Sequence, residues 1–166
     1  MLRDKNLIPL SHQHQHALAL CVRIDRGVQP DQQDVGAWCD EVALLWSNEI
    51  SLHFLAEEEA LFPVAAGYCD LSNLVSELIS EHQRLREYFR RSSERNLNAQ
   101  ELRELATQLS AHIRKEERQL FEGCQQVMPA DLLSELGQKL DKALAAASHS
   151  CALPNPALAI QRKQEN

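Results

Sequence analysis

The chain has 166 residues, 44% of them hydrophobic and 25% charged, which suffices for one compact core and is ordinary for a globular domain. A net charge of -7, with no basic stripe interleaved with aromatics, removes the electrostatic drive toward phosphate backbones, so no nucleic-acid partner is expected. No stretch approaches the roughly 20 apolar residues of a membrane span, and MLRDKNLIPLSHQ lacks the apolar centre of a secretion signal, so the expectation is a cytoplasmic protein that does not enter a membrane.

Only five Gly and six Pro, with Leu, Ala, Glu, Gln and Arg dominant, point to an all-α protein. Residues 11–27 carry Leu18, Cys21, Val22 and Ile24 at near-helical spacing, and Gly27 followed by Gln29-Pro30 stops this first helix. Asp31 or Asp34 can cap a second helix, which runs through VALLWSNEISLHFLAEEEALF until Pro63 or Gly67 interrupts it. Its inward stripe reads Val42, Leu45, Trp46, Ile50, His53, Glu57, Leu61. A third helix starts at Asp70 or Ser72 and carries Leu74, Leu78, His82, Leu85 and Phe89 up to the polar break SSERNLN. Asn98, with Glu101 three residues on, predicts a capping box for a fourth helix bearing Leu102, Leu105, Leu109, His112, Glu116 and Leu120. Pro129 suits the start of a shorter fifth helix through DLLSELGQKLDKALAAA.

Four long amphipathic segments joined by short breaks predict an antiparallel, up-down-up-down four-helix bundle with an additional C-terminal helix. The bundle is expected over residues 1–147, and residues 148–166 as a tail that is either loose or docked as an arm. Five cysteines, Cys21, Cys39, Cys69, Cys124 and Cys151, are odd in number, scattered and free of any C-x-x-C pair, so they are expected as reduced, mainly buried thiols.

One phrase is written twice: HFLAEEEALF at 53–62 and HIRKEERQLF at 112–121. His53 and Glu57 are four apart, as are His112 and Glu116, so each pair shares a helical face, and that face is the apolar stripe. Polar groups aimed at a core are costly to bury unless they pair or bind metal. The first and third helices each add a stripe histidine, His14 before Leu18 and Cys21, and His82 between Leu78 and Leu85. Histidine nitrogen with carboxylate oxygen suits iron, manganese or zinc, and a carboxylate pair can bridge two ions in a bundle core.

With QHQHALAL, HFLAEEEALF, SEHQRLREYF and HIRKEERQLF in that order, the chain resembles the hemerythrin-like family of histidine-histidine-glutamate cation-binding domains, from about residue 10 to residue 125. The resemblance implies a non-haem centre of two irons, bridged by carboxylates and an oxo or hydroxo group, in an antiparallel four-helix bundle. The ligands it implies are His14, His53, Glu57, His82, His112 and Glu116, with Glu57 and Glu116 bridging. HQHQH also offers His12 and His16, the latter as second choice, and Glu117 competes with Glu116, because oxygen-carrying hemerythrins place that carboxylate five residues after the histidine.

The resemblance breaks at Arg86, where the oxygen carriers have a second histidine four residues after the first. Arginine cannot coordinate a cation, so it is expected to pair with Glu58 or Glu117, leaving an open iron position at which O2, peroxide or NO binds or reacts. Hemerythrin-like proteins with arginine there carry proposals of catalase-like or peroxidase-like peroxide handling, nitric oxide response, and iron or oxygen sensing. An iron- or oxygen-responsive sensor or interaction module without turnover is the alternative reading. Glu58, Glu59, Lys115 and Arg118 are otherwise read as solvated positions. Phe54, Phe62 and Phe121 are expected to wall the site from water, and Trp38, Trp46, Tyr68 and Tyr88 to pack, while His149 has no assigned role.

Overall fold

The computed structural model describes residues 2–148, whose regular structure is helical with no strand among the described residues. Five helices form it: α1 (Ile8–Gly27), α2 (residues 36–65), α3 (Cys69–Ser93), α4 (residues 99–127) and α5 (Ala130–Ser148). The first four run antiparallel to their neighbours, as the cross-helix pairs show. Arg23 meets Glu41 and His16 meets Glu49 between α1 and α2; Arg86 of α3 meets Glu58 of α2, and Arg95, just past the end of α3, meets Asp40. Tyr88 meets Glu104 and Lys115 meets Glu77 between α3 and α4, and α4 returns along α1 through Arg103 to Asp25. The expected up-down-up-down bundle is the observed one.

Local chemistry explains most of the boundaries. Pro9 sits in the first turn of α1, where its missing N–H costs nothing, and the helix begins earlier than expected because Leu7 and Leu10 are fully buried. The backbone N–H of Gly36 donates to Asp34 Oδ1 at 3.0 Å, so Asp34 rather than Asp31 closes the start of α2. At the start of α4, the Glu101 N–H donates to Asn98 Oδ1 and the Asn98 N–H to Glu101 Oε2, both at 2.9 Å, completing the expected capping box. α3 ends in a Schellman turn: the Asn96 N–H reaches the Arg91 carbonyl at 2.8 Å, and Arg95 takes φ 51°. A non-glycine residue pays strain there, and the Arg95 side chain makes an exposed bidentate pair with Asp40.

The apolar interior divides into two clusters. One gathers Ile24, Val42, Ile50, Phe54, Leu85, Phe89, Leu102 and Leu109 toward one end. The other gathers Leu7, Leu10, Leu61, Phe62, Leu78, Leu120 and Phe121 with the Leu133, Leu136, Leu140 and Leu144 face of α5. α5 lies along the second half of α2, and its Gly137 allows Asn6 to approach so closely that a Cβ would stand 2.5 Å from Asn6 Oδ1. Buried histidines and glutamates lie between these two clusters.

Three single π turns interrupt the long helices, at Trp46–Ile50, Glu57–Leu61 and Glu116–Leu120. In the last two, the N–H of Phe62 bonds to the Glu57 carbonyl and that of Phe121 to the Glu116 carbonyl, so the repeated phrase carries a repeated backbone irregularity. α2 passes through Pro63, two residues after the π turn at Glu57–Leu61 ends, before finishing at Ala65. Cys21, Cys39 and Cys124 are buried free thiols as expected, but Cys69 is exposed, because it opens α3 on the solvent side. Cys151, His149 and the expected tail lie outside the described residues.

Candidate metal centre

The stripe positions read from sequence converge. His14 from α1, His53 and Glu57 from α2, His82 from α3, and His112 and Glu116 from α4 are all buried, and both glutamates are inaccessible. They form two groups with ligand atoms within 4.8 Å of one another: His14, His53, Glu57 and Glu116, and Glu57, His82, His112 and Glu116. Each group has one histidine from each of two helices, and the glutamates belong to both. His14 Nε2 stands 3.0 Å from His53 Nε2, and His82 Nε2 stands 3.1 Å from His112 Nε2. Glu116 lies 3.2 Å from His14 Nε2 with one oxygen and 3.2 Å from His112 Nε2 with the other, while Glu57 lies 3.4 Å from both His53 and His82.

Every Nε2 points inward, and every Nδ1 is held from outside. Glu117 Oε1 sits 2.7 Å from His14 Nδ1, Gln13 Oε1 2.9 Å from His53 Nδ1, Glu58 Oε1 2.8 Å from His82 Nδ1, and Glu81 Oε2 2.8 Å from His112 Nδ1. An acceptor on Nδ1 fixes the tautomer, leaving Nε2 free of its proton for a cation. In each phrase the first glutamate faces inward and the second braces the lone histidine of the other helix pair. The residue just before each lone histidine, Gln13 or Glu81, braces the histidine of the phrase.

The carboxylates show what this arrangement lacks on its own. All four oxygens of Glu57 and Glu116 are buried with no partner in hydrogen-bond geometry; the Nε2 atoms are near but misdirected. Buried polar atoms are almost always partnered, so four orphaned anionic oxygens facing four Nε2 atoms fit a cation and little else. Without one, protons must balance the charge. Burial opposes the charged form of His14, His82 and His112, yet the glutamates override it and hold them up at about 9, about 9 and about 10. Burial likewise opposes ionisation of Glu57 and Glu116, and the two repel, but the facing histidines keep both below the usual carboxylate range.

His16 is exposed and pairs with Glu49, outside the cluster, and Glu117 stands in the outer layer between His14 and Arg3. Arg86 donates to both oxygens of Glu58 at 2.8 and 2.9 Å and lies over Phe54, so of the two expected partners it takes Glu58. Two positions read as solvated are corrected: Glu58 is held between His82 and Arg86, and Lys115 bridges Glu77 and Glu81. Their neighbours Glu59 and Arg118 are exposed as expected. Phe54 stacks on His82 at 3.6 Å, Phe121 on His14 at 5.6 Å, and Phe62 tilts against His82 at 5.3 Å, forming the apolar wall. Trp38, Trp46, Tyr68 and Tyr88 are partly buried against the two clusters. A cavity of about 110 Å³ between α3 and α4, lined by Glu81, Arg84, Leu85, Gln108, Ala111 and His112, reaches the edge of the site. Gln13, Glu81 and Arg3 were not singled out from sequence; their signal was position, since Gln13 and Glu81 directly precede the lone stripe histidines.

No helix among the described residues is long and apolar enough to cross a membrane. Comparison with curated proteins and with solved structures gives no match. The family model described as the hemerythrin HHE cation binding domain matches residues 9–124, a span that holds all six converging side chains and most of the bundle. A helical bundle with a buried histidine and glutamate cluster, matched over most of its length, makes this chain a member of the hemerythrin HHE cation-binding domain family.

Proposed function

We propose that the chain binds two irons through His14, His53, Glu57, His82, His112 and Glu116, with Glu57 and Glu116 shared between them, and that it binds or reacts with O2, peroxide or NO. The observation that carries this reading is the pair of buried carboxylates, without hydrogen-bond partners, each facing one histidine pair on either side. Iron at such a site supplies one-electron redox chemistry and coordination of small diatomic or peroxide ligands. Each position has two imidazoles and two shared carboxylates, fewer than an octahedral iron takes, which leaves room for such a ligand. The Phe54, Phe62 and Phe121 wall restricts water, and the cavity of about 110 Å³ beside His112 has room for a small molecule. Arg86 is committed to Glu58, so it braces His82 in place of contributing a donor. A cytoplasmic setting belongs to the same reading, supported by the free thiols Cys21, Cys39, Cys69 and Cys124 among the described residues.

The test is metal identity and stoichiometry in protein purified without chelator, with absorption spectra recorded after reduction and again in air. Two irons per chain and an air-dependent charge-transfer band support the reading; full metal content in His53→Ala and His112→Ala proteins ends it. Peroxide consumption no faster than by free iron would exclude the catalase-like version alone.

A second reading, metal-state sensing, is favoured by the seat of α5 on the stretch of α2 that carries His53 and Glu57. Hydrogen exchange in α5 that is the same with and without metal would remove it.

A further inference from the structure

The two halves of the centre correspond almost residue for residue. His14 matches His82, His53 matches His112, and Glu57 matches Glu116. Outside them, Glu117 backed by Arg3 matches Glu58 backed by Arg86, and Phe121 against His14 matches Phe62 against His82. Away from the Nδ1 partners, Phe54, stacked on His82 at 3.6 Å, has Ile113 at the equivalent position. Among the Nδ1 partners the correspondence fails at one pair. His53 Nδ1 faces the neutral amide oxygen of Gln13 at 2.9 Å, whereas His112 Nδ1 faces the Glu81 carboxylate at 2.8 Å.

We propose that Gln13 and Glu81 make the two metal positions inequivalent, the His82–His112 position being the tighter-binding and the more readily oxidised. This rests on the two-metal reading above. A carboxylate accepting the Nδ1 proton raises the electron density of the imidazole at Nε2, which favours a metal and favours its higher charge state; an amide oxygen does so far less. The surrounding charges do not cancel the difference. Glu117 with Arg3 and Glu58 with Arg86 are each neutral pairs, one per position. Gln13 adds no charge to the His53 side. On the His112 side a single cation, Lys115, serves both Glu77 and Glu81, leaving one negative charge in excess. Glu81 itself is only 14% exposed and so is little screened, whereas Glu77, which shares Lys115, is 57% exposed, and Arg84, which lines the neighbouring cavity, is exposed. Gln13 and Glu81 are positioning residues, acting on the metals only through His53 and His112.

The test is anaerobic titration of metal-stripped full-length protein with ferrous iron against a competing chelator, followed by spectroelectrochemistry of the loaded protein. Loss of an outer partner to a metal-bound histidine typically costs 10- to 100-fold in affinity, and since both histidines here keep a partner, two steps separated by no more than about that factor are expected. His53→Ala should remove the weaker step and His112→Ala the tighter. Because a first ion can itself weaken binding of a second, the variants carry the test. Glu81→Gln, which keeps the acceptor and loses the charge, should weaken the tighter step and narrow the gap. Gln13→Glu should strengthen the weaker step and narrow it from the other side. The lower of the two potentials should rise in Glu81→Gln, because losing the anion weakens the more highly charged ferric state more than the ferrous one. Steps and potentials unmoved by both variants overturn the inference while leaving two-metal binding intact, as does a Gln13→Glu effect reproduced by Gln13→Leu. Uptake of one ion or none by the parent protein overturns both readings together.

Discussion

Metal loading should expel protons, and the structure sets how many. Without metal, Glu57, Glu116 and their neighbours raise His14, His82 and His112 to about 9, about 9 and about 10 against the opposing effect of burial, which favours their protonated forms at pH 7. A cation needs each Nε2 bare. At about 1.4 kcal/mol per pH unit, stripping them at pH 7 costs about 3 to 4 kcal/mol per ring, on the order of 10 kcal/mol for the three. Calorimetric titration in buffers of different ionisation enthalpy should therefore count close to three protons released per fully loaded chain. Apparent affinity for complete loading should climb by up to about three decades per pH unit from pH 7 to 9, then flatten above 10. Release of fewer than one proton, or affinity independent of pH, would refute the picture of protons balancing two buried carboxylates. The same linkage reaches the stability of the metal-free form. Folded values above the ordinary 6.5 mean that the three rings stabilise the fold fully below about pH 6.5 and lose that contribution as pH rises through 9 to 10. Thermal melts should show metal-free protein weakening over that window and loaded protein holding steady.

Three further outcomes separate site from scaffold. His14→Ala should lower bound metal measured by elemental analysis, whereas His16→Ala should leave it unchanged, since His16 is exposed and engaged with Glu49. Asn98→Ala removes the Oδ1 acceptor of the Glu101 N–H while keeping the backbone N–H that donates to Glu101 Oε2, and should cost about 1 kcal/mol in urea unfolding with no change in metal content. Gly137→Ala drives a methyl group into Asn6 and should cost about 1–3 kcal/mol in the same assay, again with unchanged metal content, by prising α5 from the N-terminal segment.

The bundle was legible because its signals are local or periodic. Leucine stripes, the Asn98–Glu101 box and the breaks at Gly27 and 94–98 each act within a turn or two of chain. The inner site was legible for the same reason: His-x3-Glu fixes a shared face whatever surrounds it. What the sequence hid depends on contacts between helices. Glu58 and Lys115 look solvated on their own helices, and only the approach of Arg86 in one case and of Glu77 and Glu81 in the other turns them inward. The π turns at Glu57–Leu61 and Glu116–Leu120 left no glycine signal, and a proline follows only the first. Arg3 lies more than a hundred residues from Glu117, beyond any periodicity argument.

The repeated phrase thus encodes more than a ligand pair. Consecutive glutamates on a regular helix point about 100° apart, so one can face the interior while the next reaches the neighbouring helix. Glu57 and Glu116 turn to the centre, and Glu58 and Glu117 reach across to His82 and His14 of the opposite helix pair. Each half of the chain therefore supplies both a shared carboxylate and the brace for the other half's histidine, so neither half can assemble its own position alone. The resulting polar layer separates two apolar clusters that would otherwise be continuous, a cost that a metal-free bundle must meet with protons. Proton release, metal affinity and stability should on this account move together in any variant of the inner six residues. Changes confined to Asn98 or Gly137 should move stability alone.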